Sequence, residues 1–351
     1  MWSFLISFLA AFIISPLVIY VYRKNNWLDD PKKDQHVKKT HSEAVPRGGG
    51  LVIFLAVLFA ATLILNFDKY LIAIFFGATL LAIIGFIDDI FDLNPYIRLI
   101  TGLLASLIVV GAGIGIAYVS NPFGAGVIHL SQPQINFNLF GESHSIWILS
   151  SLFAVFFILW NMNIINWAKG IDGQLPGFVS VSCLFIAILA NRFADSPAQF
   201  NVANLALIVS GAFAGLLIWN FYPQKIMPGY GAGSLAGYFL SILAILSGAK
   251  VATTLMVLAI PTADGVFTIA RRILAGKSPF WGDRGHLHHK LMDYYGWGKR
   301  RIAVFYILTS ASLGFLSLYL NTTGKVIAIS LTTFIVFSYC YILYYLHQLG
   351  V

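Results

Sequence analysis

Residues 70–87 read YLIAIFFGATLLAIIGFI, and Asp88-Asp89 follow at once. An uncharged run of this length approaches the roughly 20 residues a helix needs to cross a bilayer. Working outward, runs of the same kind recur near 2–22, 48–66, 98–120, 146–166, 177–191, 202–221, 234–248, 250–269, 302–320 and 325–346. Across all 351 residues, 58% are hydrophobic and 10% charged. Soluble domains carry about 25% charged residues, so a water-soluble globular fold is excluded. Disorder is excluded as well, because 15% of the chain is aromatic and charge is scarce. The expectation is an all-α integral membrane protein: one polytopic domain over 1–351, a bundle of about eleven transmembrane helices. The first run has no basic residue ahead of it and reads as a span, not as a cleaved signal peptide. Cys183 and Cys340 both sit in apolar runs and read as small hydrophobes, with no disulfide framework or zinc pattern.

The segments between runs fall into two alternating sets. Of the 22 Lys and Arg, all but Lys69, Arg192, Lys250 and Lys325 lie on one side. The positive-inside rule assigns that side to the cytoplasm, with the N-terminus outside and the C-terminus inside a cell membrane. The net charge of +8 then reads as orientation and contact with anionic headgroups or substrates, not with nucleic acid. Among the 14 carboxylates only Asp68, Glu142 and Asp195 fall outside. Carboxylates contribute little to orientation, so their gathering on one face asks for a chemical reason. The one long outer segment, 121–145, is polar and Gly-containing, as a small hairpin would be.

Five inner loops carry the candidate chemistry. The first joins Asp29-Asp30-Pro31 to Lys39, His41 and Arg47-Gly48-Gly49-Gly50; it suits either an orienting basic loop or an anion clamp. In the second, Asp88-Asp89 end a span at the helix terminus where the macrodipole opposes negative charge by roughly 0.3–1 kcal/mol each. Adjacent carboxylates in such a place point to metal binding or general-base work, whereas Asp92 reads equally well as a solvated turn residue. The third loop places Asn163 and Asn166 on one helical face, then Lys169-Gly170-Ile171-Asp172-Gly173 in a tight turn. The fourth runs from Lys225 through Gly229-Tyr230-Gly231-Ala232-Gly233 to Ser234, a plausible N-cap, and reads as a phosphate site at a helix N-terminus. In the last, Asp264 lies about two turns inside a span, followed by Asp283-Arg284-Gly285-His286-Leu287-His288-His289. Three histidines beside Asp and Arg suit a pyrophosphate better than zinc, since no second ligand cluster completes a tetrahedron.

Taken in order, these loops resemble the polyprenyl-phosphate N-acetylhexosamine-1-phosphate transferases, from Pro46-Arg47-Gly48-Gly49-Gly50 to His286-Leu287-His288-His289. The Asp-Asp pair and the Asp-Arg-Gly-His-x-His-His run are the specific parts. They look more like the branch using UDP-N-acetylglucosamine than the branch making lipid I. The resemblance implies transfer of a sugar-1-phosphate from a UDP-sugar to a polyprenyl phosphate at cytoplasmic active-site loops, with Mg²⁺ as cofactor. It implies catalytic roles for Asp88, Asp89 and His289. Substrate contacts would come from Lys39, His41, Arg47, Asn163, Asn166, Lys169, Asp172, Gly173, Lys225, Asp264, Asp283, Arg284, His286 and His288, and metal contacts from Asp89 and Asp172. Its implied partners are the lipid phosphate, the UDP-sugar and membrane lipid, with a homodimer as an open assembly state.

Two departures from the family pattern stand out. The family usually reads Asp-Gly-x-Asp-Gly where this chain has Lys169-Gly170-Ile171-Asp172-Gly173. Its fourth loop usually reads Gly-Asp-x-Gly-Ser, whereas Gly229-Tyr230-Gly231-Ala232-Gly233-Ser234 carries no carboxylate. Both make the site less negative, and the expectation is either a high magnesium requirement or partial metal independence involving Lys169. Two other readings remain: a family member that binds lipid phosphate or nucleotide without turnover, and a transporter. Transport calls for ionisable groups near the midplane, and only Asp264 enters a run appreciably.

Overall fold

A computed structural model describes residues 1–32, 39–121, 124, 126–139, 142–192, 197–247, 250–278 and 284–348. The chain is mostly helical: α1 (Trp2–Lys24), α2 (Gly49–Ile64), α3 (Lys69–Phe91), α4 (Pro95–Gly111), α5 (Ile148–Trp167), α6 (Gln174–Asn191), α7 (Pro197–Asn220), α8 (Gly229–Leu246), α9 (Lys250–Val257), α10 (Ala259–Leu274), α11 (Leu287–Asp293), α12 (Lys299–Ser317) and α13 (Thr322–Gln348). The short strands pair two by two and antiparallel: β1 (Leu28–Asp29) with β2 (Val45–Pro46), β3 (Tyr118–Ser120) with β4 (Val127–His129), and β5 (Gln134–Leu139) with β6 (Glu142–Trp147). The last pair is the hairpin expected of the polar segment 121–145.

Each apolar run falls on a helix, with two corrections. The run 98–120 stops at Gly111, because Gly113 turns the chain at φ +102°, a conformation glycine adopts freely. The run 250–269 is two helices, α9 and α10, bent by 83°. Among the described residues, seven helices are long and apolar enough to cross a membrane unaided, and the bent pair makes an eighth. Helices α2 and α4 are apolar but shorter, so length and apolarity together do not reach eleven spans. Large apolar side chains such as Leu9, Ile13 and Leu17 on α1, Phe76 and Ile83 on α3, and Leu331 and Phe334 on α13 face outward. Exposed apolar surface on this scale is the architecture of a polytopic membrane protein.

Two prolines explain local departures from regular helix. Pro16 within α1 has no N–H for the carbonyl of Phe12, and Trp219 of α7 donates its indole Nε1–H to that oxygen at 3.0 Å. Pro261 in the first turn of α10 likewise cannot serve Val257, where the helix breaks, and Ser310 of α12 donates its hydroxyl to that carbonyl at 3.0 Å. In each case a side chain from a distant helix satisfies the freed oxygen, which the hydrocarbon of a bilayer would not.

Helix α8 is the pillar of the bundle. Its glycines let four backbones meet: a Cβ on Gly50 of α2 would lie 2.7 Å from Gly231 Cα, one on Gly85 of α3 would lie 2.6 Å from the same atom, and one on Gly237 would strike the Met162 backbone of α5. Small residues at helix contacts of this kind are how membrane helices approach closely. The close fit brings the ends of α2, α3 and α5 to the start of α8. There the loops knit together, with Gly49 N donating to Met227 O at 3.0 Å, Met227 N to Pro46 O at 2.8 Å, and Thr40 Oγ1 to Gly170 O at 2.9 Å.

Candidate active site

Asp88 and Asp89 are buried at the end of α3. The helix stops at Asp92, which adopts a left-handed conformation (φ 48°) and is exposed, so it does not continue the face of Asp88. Arg98 of α4 closes this corner. Its Nε donates to Asp88 Oδ1 at 2.5 Å and its Nη2 to Asp92 Oδ1 at 2.6 Å, while Leu93 N also donates to Asp88 Oδ1 at 3.1 Å. Asp89 accepts from the backbone N–H of Tyr230 at 2.9 Å. The positive end of α8, expected to bind a phosphate, therefore holds a carboxylate of the chain itself. A second expectation also shifts: α8 begins at Gly229, not after Ser234, which lies inside the helix and accepts from Asn166 Nδ2 at 2.9 Å.

Lys169 lies at the centre of this arrangement. Its Nζ donates to Asn166 Oδ1 at 3.0 Å and to Gly229 O at 2.8 Å. Burial pushes its ammonium down to about 8, and the charges of Asp89 and Asp88 act in the opposite direction. Gly229 is left-handed (φ +68°), and a Cβ there would collide with the Asp89 carboxylate. The second asparagine, Asn163, bonds only back along its own helix, to Leu159 O at 2.8 Å.

The first-loop residues converge on a carboxylate that sequence reasoning did not single out. Asp29 pairs with Lys39 Nζ at 2.7 Å and with Arg47 Nη2 at 2.5 Å, and its backbone carbonyl lies 3.3 Å from His41 Nε2. Burial would raise the Asp29 carboxyl, but Arg47 and Lys39 hold it below the usual range. Arg47 also reaches Asp92 at 3.9 Å, which joins this cluster to the Asp88 corner. The only signal in the sequence was an acidic residue at the head of a basic loop.

Asp172 sits apart from Asp89. Its carboxylate pairs with Lys299 Nζ at 3.1 Å and accepts from Gln224 N at 3.2 Å. Gly173, at φ +79°, caps α6 and donates its N–H to Asn220 Oδ1 at 2.9 Å, so these residues set the loop's shape. Lys225 is exposed with its ammonium 5.3 Å from the Trp219 ring, and no contact ties it to the cluster.

The histidines arrive on α11. Buried Asp264 accepts from Leu287 N at 2.8 Å and lies 3.0 Å from His286 Nδ1, so it fixes both the start of α11 and the first imidazole. His288 packs on Gly170, where a Cβ would strike its ring, and His289 follows with ring centroids 4.3 Å apart. The Nδ1 atoms of His288 and His289 are buried without a hydrogen-bond partner, as is that of His41. Arg284 forms a two-pronged pair with Asp293 at 2.7 and 2.8 Å. Asp283 lies outside the described residues.

Burial and the nearby Arg284 push His289 down to about 4, and burial and its histidine neighbours push His288 well below the usual imidazole range. Both are neutral at pH 7. Between pH 6.5 and about 4 the unfolded chain binds the His289 proton and the folded chain resists it, so stability falls as pH falls. For His289 alone the loss approaches about 3 kcal/mol at the acid end. His289→Gln is expected to flatten the decline of the thermal midpoint across this window. An unchanged slope would show that the imidazole titrates normally.

As placed, the described residues do not by themselves make a ligand set for a magnesium ion. Mg²⁺ needs oxygen ligands in near-octahedral order. Among the described residues no group of three or more His, Cys, Asp or Glu stands where it could hold a metal. Asp88 is engaged by Arg98, Asp89 faces Lys169, and Asp172 is tied to Lys299, so the expected Asp89 and Asp172 pair forms no ligand set.

Comparison with known proteins gives a consistent picture. Residues 71–248 match the model for "Glycosyl transferase family 4". The chain is 28% identical over 95% of its length to a Bacillus subtilis protein named "Probable undecaprenyl-phosphate N-acetylglucosaminyl 1-phosphate transferase", of which it covers 87%. It is 28% identical to an undecaprenyl-phosphate alpha-N-acetylglucosaminyl 1-phosphate transferase of Thermotoga maritima, covering 97% of this chain and 96% of the other. With a phospho-N-acetylmuramoyl-pentapeptide-transferase of Bacillus licheniformis the identity is 25%, over 92% and 97%.

Proposed function

Because the chain belongs to glycosyl transferase family 4, we propose that it transfers a sugar-1-phosphate, N-acetylglucosamine-1-phosphate above all, from a UDP-sugar to a polyprenyl phosphate. An oxygen of the lipid phosphate attacks the sugar-bearing phosphorus, the bond from that phosphorus to the bridging oxygen breaks, and its electron pair leaves with UMP. The product is a polyprenyl-diphospho-sugar. Phosphoryl transfer of this type depends on positioning and charge stabilisation more than on covalent participation.

The observation that carries the reading is the meeting of buried carboxylates, fixed cations and neutral imidazoles at one end of the bundle. Arg98, Arg47 and Lys169 supply positive charge for phosphate oxygens, and Asp88, Asp29 and Asp89 hold those cations in place. A phosphate monoester keeps part of its second proton near neutral pH, with a pKa of about 6; Asp88 or Asp89 accepts that proton as the attacking oxygen closes. His288 and His289, neutral and with unpartnered ring nitrogens, donate to the diphosphate of the second substrate. The excess of Lys and Arg in these loops supports a cytoplasmic position for this end of the bundle under the positive-inside rule. No step is assigned to a metal.

The test is release of UMP by the purified protein from a panel of UDP-sugars with and without polyprenyl phosphate. Release is expected only when both substrates are present, and fastest with UDP-N-acetylglucosamine. No release from any donor would leave a protein that binds without turnover.

A further inference from the structure

The two departures from the family pattern touch each other in space. Lys169 stands where the resemblance implies an acidic residue in the third loop, and its ammonium bonds to the carbonyl of Gly229, the first residue of a fourth-loop stretch that carries no carboxylate. We propose that Lys169 is a built-in counter-charge: its ammonium, fixed on Asn166 and the Gly229 carbonyl near the Asp88-Asp89 pair, stands in for a divalent cation, and the site neither needs nor holds one. The proposal rests on the transferase reading for its catalytic half.

The geometry supports this in three ways. First, the ammonium is pinned. Of its three N–H groups, two are taken by Asn166 Oδ1 at 3.0 Å and Gly229 O at 2.8 Å, and Asp89 is the strongest opposite charge acting on it. Asn166 is itself fixed through Met162 O at 3.0 Å and Ser234 at 2.9 Å, and the left-handed Gly229 sets the direction of its carbonyl. Second, each carboxylate that would bind a cation already has one oxygen engaged. Asp88 is held by Arg98 at 2.5 Å, and Asp89 by Tyr230 N at 2.9 Å. Third, exchanging a carboxylate for an ammonium while omitting a second carboxylate moves the local charge the same way a bound divalent cation does. A divalent cation brought among Lys169, Arg98 and Arg47 meets three like charges and, among the described residues, no cluster of three or more ligating side chains.

The full-length protein in lipid nanodiscs decides the matter by two independent readouts. In the first, UMP release is followed with excess EDTA and then across a Mg²⁺ titration. Wild type is expected to keep its rate within about twofold in EDTA. Lys169→Met is expected to lose about 100-fold, the scale of a lost electrostatic stabiliser. In the second, Mn²⁺ binding is read by electron paramagnetic resonance after chelator washing. Wild type is expected to hold none at submillimolar concentration, and Lys169→Asp to gain a site. Loss of wild-type turnover in EDTA, or micromolar Mn²⁺ binding by wild type, overturns the proposal. If no UDP-sugar is turned over under any condition, the transferase reading fails and the Mn²⁺ measurement still decides the cation claim. Should Lys169→Asp fail to fold, as judged by size-exclusion and melting, the wild-type arms suffice.

Discussion

Asp89→Asn is expected to lower UMP release by about 10²–10⁴-fold, the range for loss of a group that handles a proton in the transition state, while the protein remains folded. An asparagine keeps an oxygen for the backbone N–H of Tyr230, which Asp89 now accepts at 2.9 Å, and changes the side chain's shape little. What it removes is the negative charge facing Lys169. Loss of that charge from beside a buried ammonium is expected to lower the melting temperature as well as the rate. Asp89→Asn combined with Lys169→Met should recover much of the stability and none of the turnover. A single mutant with near wild-type rate would mean that the carboxylate serves the helix packing and not the reaction.

Gly50→Ala is expected to destabilise the protein by about 1–3 kcal/mol and to abolish most of its activity, although the change is one methyl group. The new Cβ would lie 2.7 Å from Gly231 Cα and 2.8 Å from Ala232 N, and neither backbone atom can swing aside as a side chain would. Relief requires moving the first turn of α8, and that turn positions both the Tyr230 N–H on Asp89 and the Gly229 carbonyl on Lys169. Gly111→Ala is the control, since a Cβ there meets nothing within 4 Å. Melting curves and UMP release for the pair read the difference. If the two variants behave alike, the glycine contact between α2 and α8 does not tension the site.

The spans were legible because apolarity persists over whole runs, and Asp88-Asp89 because no packing requirement accounts for adjacent carboxylates at a helix end. The bend between α9 and α10 was not read, since both sides of Leu258 are apolar; Pro261 was its only mark. Ser234 misled because it has the chemistry of a cap, whereas the helix start was decided by Gly229, Gly231 and Gly233 packing against other helices, a tertiary constraint with no local pattern. Arg98 was counted only as a marker of topology, yet it holds Asp88. The convergence of Lys39, His41 and Arg47 on Asp29 depends on β1 pairing with β2 across a long loop, which charge composition alone does not reveal. Asn163, Asn166 and Lys225 look alike in kind as polar residues near span ends, but only Asn166 turns toward α8.

The two proline-freed carbonyls have a consequence for how the chain is made. Phe12 emerges from the ribosome 207 residues ahead of Trp219, and Val257 emerges 53 residues ahead of Ser310. During synthesis each helix therefore enters the translocon with an oxygen whose partner has not yet been translated. Until α7 arrives, the Phe12 oxygen depends on water or on a local adjustment of its own helix for a partner. A chain cut short before Trp219 or Ser310 would leave the corresponding oxygen without the partner that the folded bundle provides.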